Sequence, residues 1–349
     1  MLIRWIRVAA CAWLAGCGLV QADADADKPP KIFTSDQVIE ATLEAPWFKI
    51  SRYKESDDTW PGTFSYTGAN GPVSIPVTLS TRGLTRLRVC DFPPLRIDFD
   101  KEATKDTEFR GAGSLKMVTH CLANSRFEQY YIKEYLSYRI YNLVTPLSFR
   151  VQGLDMSYDN SERGGNPIKR FAFLIEDPDD VAKRNGMQKL EIPEATPARL
   201  DSLTTSRFML FQYLISNLDW SVLSGPKSHC CHNARLLGRP DDTKVLYPIP
   251  YDLDSSGLVD AHYAAPPDKL PVRSVTQRLY RGFCADNATV PQVVAEFQQL
   301  RPQIMGLFEN EPRLDSRNRN GAVKFINRFY MVVDDPQEVQ EELIDNCRG

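Results

Sequence analysis

The spacing of apolar residues changes period part-way along this chain, and that change limits its fold more than any other feature. From Trp47 to Phe99 the sequence is punctuated by Gly62, Gly68, Gly71 and Pro72. Segments 73–80, 94–99 and 114–118 alternate apolar with polar or small residues, as half-buried strands do. The window Asn124 to Leu143 holds no Pro or Gly and places aromatic residues at 127, 131, 135, 138 and 141, which predicts a long helix ended by Pro146. Strands are expected again over 147–158 and 169–176, with a short helix over 179–185. Helical spacing then dominates at 204–218, 290–307, 321–333 and 336–347. With no internal repeat and no clean linker, this order predicts an α+β fold in one domain over 32–349. Its first part, 32–177, is β-rich and its second, 178–349, is helical.

The hydrophobic fraction of 42% and charged fraction of 25% suit a chain with a sizeable core. Net charge is −3 and no Lys/Arg-rich run occurs, so a nucleic-acid partner is not expected. Beyond Pro30 no apolar stretch approaches membrane-spanning length. At the N-terminus, Arg4 and Arg7 precede the apolar run Val8–Val20, and Val20-Gln21-Ala22 suits signal peptidase, giving a signal segment over 1–22. Leu14-Ala15-Gly16-Cys17 is alternatively a lipobox, which would leave a lipid anchor on Cys17 as the one membrane attachment. Either signal predicts export in a bacterium, to the periplasm, the outer membrane as a lipoprotein, or the outside. Residues 23–31 read as a flexible leader. Six cysteines follow it (Cys90, Cys121, Cys230, Cys231, Cys284 and Cys347), an even number that in an exported chain predicts disulfides. The run His229-Cys230-Cys231-His232 invites zinc, but neighbouring residues seldom ligate one metal together and no second ligand pair follows.

The richest chemistry lies between Asn217 and Val259. An apolar run, 208–218, leads into Asp219, and a second, 245–250, leads into Asp252, with Asp254 just beyond and Asn233 between. Carboxylates placed at the ends of buried runs, with an amide between them, suit a divalent cation and a phosphate chain. Either acid taken singly reads better as a helix cap or turn residue; the set together reads as a site. Glu134 lies beside the stripe of the long helix, where a charge needs a partner, or else pairs with Lys133 or Arg139 on an exposed face. Trp220 and Tyr251 read as packing residues, and His120 as a partly buried side chain. The chain has no Walker A, G-x-S-x-G, H-E-x-x-H or dinucleotide fingerprint, and none of its four histidines has a triad setting.

Taken in order, the pieces are an Arg82-Gly83 turn, a strand lysine (Lys116), a helix with Glu134 inside it, and a strand ending at Glu176 with its 179–186 tail. IleSerAsnLeuAspTrpSer (215–221), His232-Asn233 and ProIleProTyrAspLeuAsp (248–254) complete the series. Over roughly Thr81–Val259 this resembles the spore-coat CotH family of kinase-like proteins. The resemblance implies a bilobal protein-kinase-like architecture that transfers phosphate from ATP, with Mg²⁺ or Mn²⁺, to a hydroxyl on a protein or surface polymer. It implies that Asp252, Asn233 and Asp254 hold the metal and that Asp219 addresses the acceptor. It further implies that Lys116 with Glu134, Glu176 at the nucleotide hinge, and the Arg82-Gly83 turn meet the nucleotide. The chain departs from that pattern in three places. Thirteen residues separate Asp219 from Asn233, where kinases have four; no Gly directly follows Asp252, the next being Gly257; and no glycine-rich phosphate loop precedes Lys116 at the ordinary spacing. Two other functions suit the same acids: a non-catalytic envelope assembly protein, and an exported Ca²⁺-binding or carbohydrate-acting protein.

Overall fold

The computed structural model describes residues 30–226 and 229–349. The expected signal segment 1–22 with its Cys17 lipobox, and residues 23–29 of the leader, lie outside the described residues. Lys31 opens a single 3-10 turn, Lys31–Thr34, that buries Ile32 and Phe33.

The alternating segments form β1 (Ile39–Ala45), β2 (Thr59–Gly68), β3 (Gly71–Thr81), β4 (Leu95–Phe99) and β5 (Ser114–Val118). Two short helices interrupt them, α1 (Trp47–Arg52) and α2 (Thr85–Val89). The long predicted helix is α3 (Glu128–Val144), followed by β6 (Val151–Asn160) and β7 (Ile168–Ile175). These seven strands close into a barrel in the order β1-β2-β3-β4-β5-β7-β6. Six of the pairings are antiparallel, and closure is made by a parallel pairing of β1 with β6, from Ile39↔Leu154 to Ala45↔Asn160. The bilobal protein-kinase-like architecture is therefore not what the chain adopts. The mixed α and β content is kept only in the coarse sense, as a closed mixed barrel with flanking helices. Local alternation specifies strands; it does not specify that β1 pairs along both edges, which removes every open edge of the sheet.

Inward-facing residues such as Leu43, Phe64, Ile75, Leu79, Ile97, Leu115 and Leu174 fill the barrel as one core. The outer face of β7 is also apolar, and β5 and β6 each add an apolar residue at one end. Val118, Val151, Phe173 and Ile175 belong to a second core that includes α3 and the helices beyond. Helix α3 is consequently buried around most of its circumference, Lys133 and Glu134 included.

After β7 come α4 (Pro178–Arg184), β8 (Gln188–Leu190), α5 (Ser202–Ile215), β9 (Ala234–Arg239), β10 (Asp242–Pro250), α6 (Val290–Glu309), α7 (Ser316–Val333) and α8 (Pro336–Val339). Asp177, Asp201 and Asp315 cap α4, α5 and α7 by accepting backbone N–H bonds at 2.8–2.9 Å. Strands β10-β9-β8 make a small antiparallel sheet. Pro248 and Pro250 are tolerated in β10 because it is an edge strand. Among the described residues no helix is long and apolar enough to cross a membrane.

The six cysteines stand in three disulfides: Cys90–Cys121, Cys230–Cys231 and Cys284–Cys347. The first ties the end of α2 to the segment after β5. The last ties the turn before α6 to the C-terminus across 63 residues. Replacing Cys284 and Cys347 together by Ala is expected to lower the unfolding free energy by about 4 kcal/mol, from the loop-closure entropy returned to the unfolded chain. Urea denaturation of the oxidised protein checks this.

Candidate functional site

The acids of 217–259 meet the barrel wall beside α3. Helix α5 ends at Ser216 in the left-handed conformation (φ 52°), which turns the chain toward Asp219. The loop is pinned there: Trp220 Nε1 donates to the Asn217 carbonyl at 2.8 Å, and Arg281 Nη1 donates to the carbonyls of Leu218 (2.9 Å) and Trp220 (3.1 Å). Asn233 (φ 47°) and Asp252 (φ 59°) are also left-handed. Each non-glycine residue held so costs on the order of 1 kcal/mol, and such strain gathers at functional sites. The Tyr251 N–H donates to the Asn233 carbonyl at 3.1 Å, and the Asp252 N–H donates to the Tyr138 hydroxyl at 2.9 Å. Site loop, small sheet and α3 are thus stitched together by bonds to backbone groups of the site.

Asp219, Asn233 and His232 form one cluster. Asn233 Nδ2 donates to the Asp219 carbonyl (2.7 Å) and to its Oδ2 (3.1 Å), while His232 Nε2 lies 2.8 Å from Asp219 Oδ1. That bond to Asp219 raises the His232 pKa above its usual value, helped by the charge of Asp252 and opposed by partial burial.

Asp252 is where the separate pieces converge, since its charge acts on Lys116, Arg86, Glu134, Asp254 and His232. Asp254 accepts from the Tyr263 hydroxyl at 2.8 Å. Burial and the charge of Asp252 push it up to about 6, against the pull of Arg86 and Tyr263. Glu134 is 3% exposed, and its carboxyl is held well above the usual range by burial first and then by Asp254. Arg86 donates to the Thr119 carbonyl at 2.7 Å. Burial alone would lower its pKa, but Tyr263, Glu134, Asp254 and Asp252 together outweigh that and raise it. Lys116 is brought down to about 7 by burial and by Arg82 and Arg235, with Asp252 opposing.

The structure therefore gathers Lys116, Glu134, Asp219, Asn233, Asp252 and Asp254 around one locus. Arg82 reaches it through the Tyr251 hydroxyl, to which its Nη2 donates at 2.9 Å. Gly83 sits beside it in an exposed turn at φ 92°, a conformation glycine adopts freely. Glu176 is elsewhere engaged: its buried carboxylate accepts from Arg184 Nε (2.8 Å), Arg184 Nη2 (3.0 Å) and the Arg150 N–H (2.9 Å). Four participants were not anticipated from the sequence: Arg86, Arg96, Arg235 and Tyr263. Their residue types lie in unremarkable local patterns, and only the tertiary pairing brings them in. Trp220 and Tyr251 are buried packing residues as expected, and Tyr251 is also the cations' platform.

A recess of about 790 Å³ lies away from this locus, on the barrel wall by Glu40, Thr42, Ser65, Ser74, Asp155 and Lys169. Its lining holds charges of both signs, Glu40, Glu128 and Asp155 with Lys169 and Arg170, but none of the residues singled out in the sequence, so the acid locus is the better candidate. Comparison with protein-family models, curated proteins and solved structures returned no match.

Two outcomes follow from this geometry. The His232 imidazole should titrate above 6.5 by NMR and return toward that value in Asp219→Asn. Its stabilising contribution is full below pH 6.5 and disappears as pH rises through the folded-state value. Glu176→Ala leaves Arg184 buried without its partner and should cost about 3–5 kcal/mol in urea denaturation.

Proposed function

We propose that this locus is a metal-dependent phosphoryl-transfer site using a nucleoside triphosphate, in an exported protein with CotH-like chemistry on a barrel scaffold. The observation that carries the reading is the meeting of Lys116, from β5, with Asp219, Asn233 and Asp252, from the loops around the small sheet, at one locus. The ordered CotH-like matches support the chemistry independently of the architecture. The N-terminal signal reading and the three disulfides support export.

The donor set suits a divalent cation. Asp252 and Asp254 are mutually repelling carboxylates, and a bound cation would relieve that repulsion. Asn233 has its amide nitrogen committed to Asp219, so its side-chain carbonyl is the oxygen it offers. Among the described residues no three His, Cys, Asp or Glu side chains form a ready cage. Mg²⁺ and Mn²⁺ accept such a site, because phosphate oxygens and waters supply the remaining ligands. When bound, the cation would neutralise charge on the transferring phosphates. Lys116 holds the same charge from the barrel side, Asp219 orients the acceptor hydroxyl, and Asn233 and His232 fix the Asp219 rotamer.

The second reading is a non-catalytic envelope assembly protein. It is favoured by one fact: both Asp219 oxygens are already hydrogen-bonded within the fold.

Calorimetry separates the two. The oxidised protein should bind ATP only with Mg²⁺ or Mn²⁺, and Asp252→Ala should abolish that binding while remaining folded. Asp219→Asn should keep the binding and lower phosphate release from ATP by about 10²–10⁴-fold. Absence of nucleotide heat from folded wild-type protein would instead remove the phosphotransferase and favour the assembly reading.

A further inference from the structure

Three cations crowd a single tyrosine beside the acids. Lys116 Nζ lies 4.2 Å and Arg235 Cζ 4.6 Å from the centroid of the Tyr251 ring, and Arg82 bonds its hydroxyl. A fourth, Arg96, stands directly opposite Lys116 across the β4–β5 pair, and its charge also acts on Lys116. Like charges facing each other across strands destabilise a sheet, and partial burial adds to that cost. Among the described residues none of the four makes an ion pair. Their bonds go to neutral groups: Tyr251 for Arg82, Ser114 for Arg96 and the Ala234 carbonyl for Arg235. Packing gives no reason for four half-buried cations between the barrel wall and the small sheet. An extended polyanion does, through charge-assisted hydrogen bonds along its length.

We infer that Arg82, Arg96, Lys116 and Arg235 form a polyphosphate cradle, and that the protein selects its donor by the phosphate chain and not by the base. Tyr251 is 4% exposed and its ring carries Lys116 and Arg235, so it offers no face for a base to stack on. Binding energy therefore comes from the chain of phosphates. That the ligand is a phosphoryl donor rests on the function proposed above; the cradle itself rests on the cations.

The test is calorimetric titration of the full oxidised protein with inorganic triphosphate, ATP, GTP, CTP and adenosine, each with Mg²⁺. Inorganic triphosphate and the three nucleotides should bind within about threefold of one another, and adenosine should not bind. Arg235→Gln and Arg96→Gln, checked for folding by circular dichroism, should each weaken triphosphate binding by about tenfold or more. Metal-dependent ATP binding that needs Asp252 but exceeds triphosphate, GTP or CTP binding tenfold overturns the cradle and leaves the proposed function standing. Equal affinities unaffected by Arg235→Gln and Arg96→Gln also overturn it. Triphosphate binding that needs the arginines but is indifferent to Asp252→Ala keeps the cradle and removes the phosphotransferase. No binding by any probe removes both.

Discussion

The parallel ladder between β1 and β6 is the contact on which the remaining architecture depends. It joins residues 115 positions apart (Ile39 with Leu154) and converts a run of hairpins into a closed barrel with no exposed edge. Closure presents the outer wall at β6 and β7, and Phe171, Phe173 and Ile175 on β7 pack in one core with α3. That placement puts Glu134 inside the molecule and Lys116 on the wall facing the small sheet. The site is assembled from both sides of this junction, so its geometry follows from barrel closure.

Within the junction, local stability rules are broken together. Two residues of the site are left-handed without being glycine, acids face acids, and cations face cations across a strand pair. Natural chains tolerate such conflicts where function requires them and the surrounding fold over-determines the geometry. Here the over-determination is visible: Arg281 and Trp220 fix the Asp219 loop, Tyr138 fixes the Asp252 backbone, and Cys90–Cys121 fixes the segment carrying Arg86 beside the strand carrying Lys116.

The elements were largely legible in the sequence, because period and punctuation are local signals. Alternation over 73–80 and 114–118 became β3 and β5, and the Pro- and Gly-free window became α3. The architecture was not legible, since nothing near Ile39 announces a partner near Leu154. The same limit applied to the site. Asp219 and Asp252 stood out because each follows an apolar run, whereas Arg86, Arg96 and Arg235 became meaningful only once three separate segments met. Glu176, placed by the resemblance where the strand leads into a nucleotide hinge, has its carboxylate held by Arg184, a partner that nothing near it in the sequence announces. Glu134 read ambiguously for a physical reason: α3 is buried on nearly every side, so its aromatic stripe does not by itself separate a buried face from an exposed one.

The central claim, that the junction of barrel and small sheet binds a metal-bridged triphosphate, is tested most directly by a crystal structure with Mn²⁺ and a non-hydrolysable ATP analogue. The account predicts an anomalous peak beside the Asp252 and Asp254 carboxylates, with the phosphates lying against Lys116 and Arg235. A metal and nucleotide bound elsewhere on the protein, such as in the recess by Thr42 and Asp155, would contradict it.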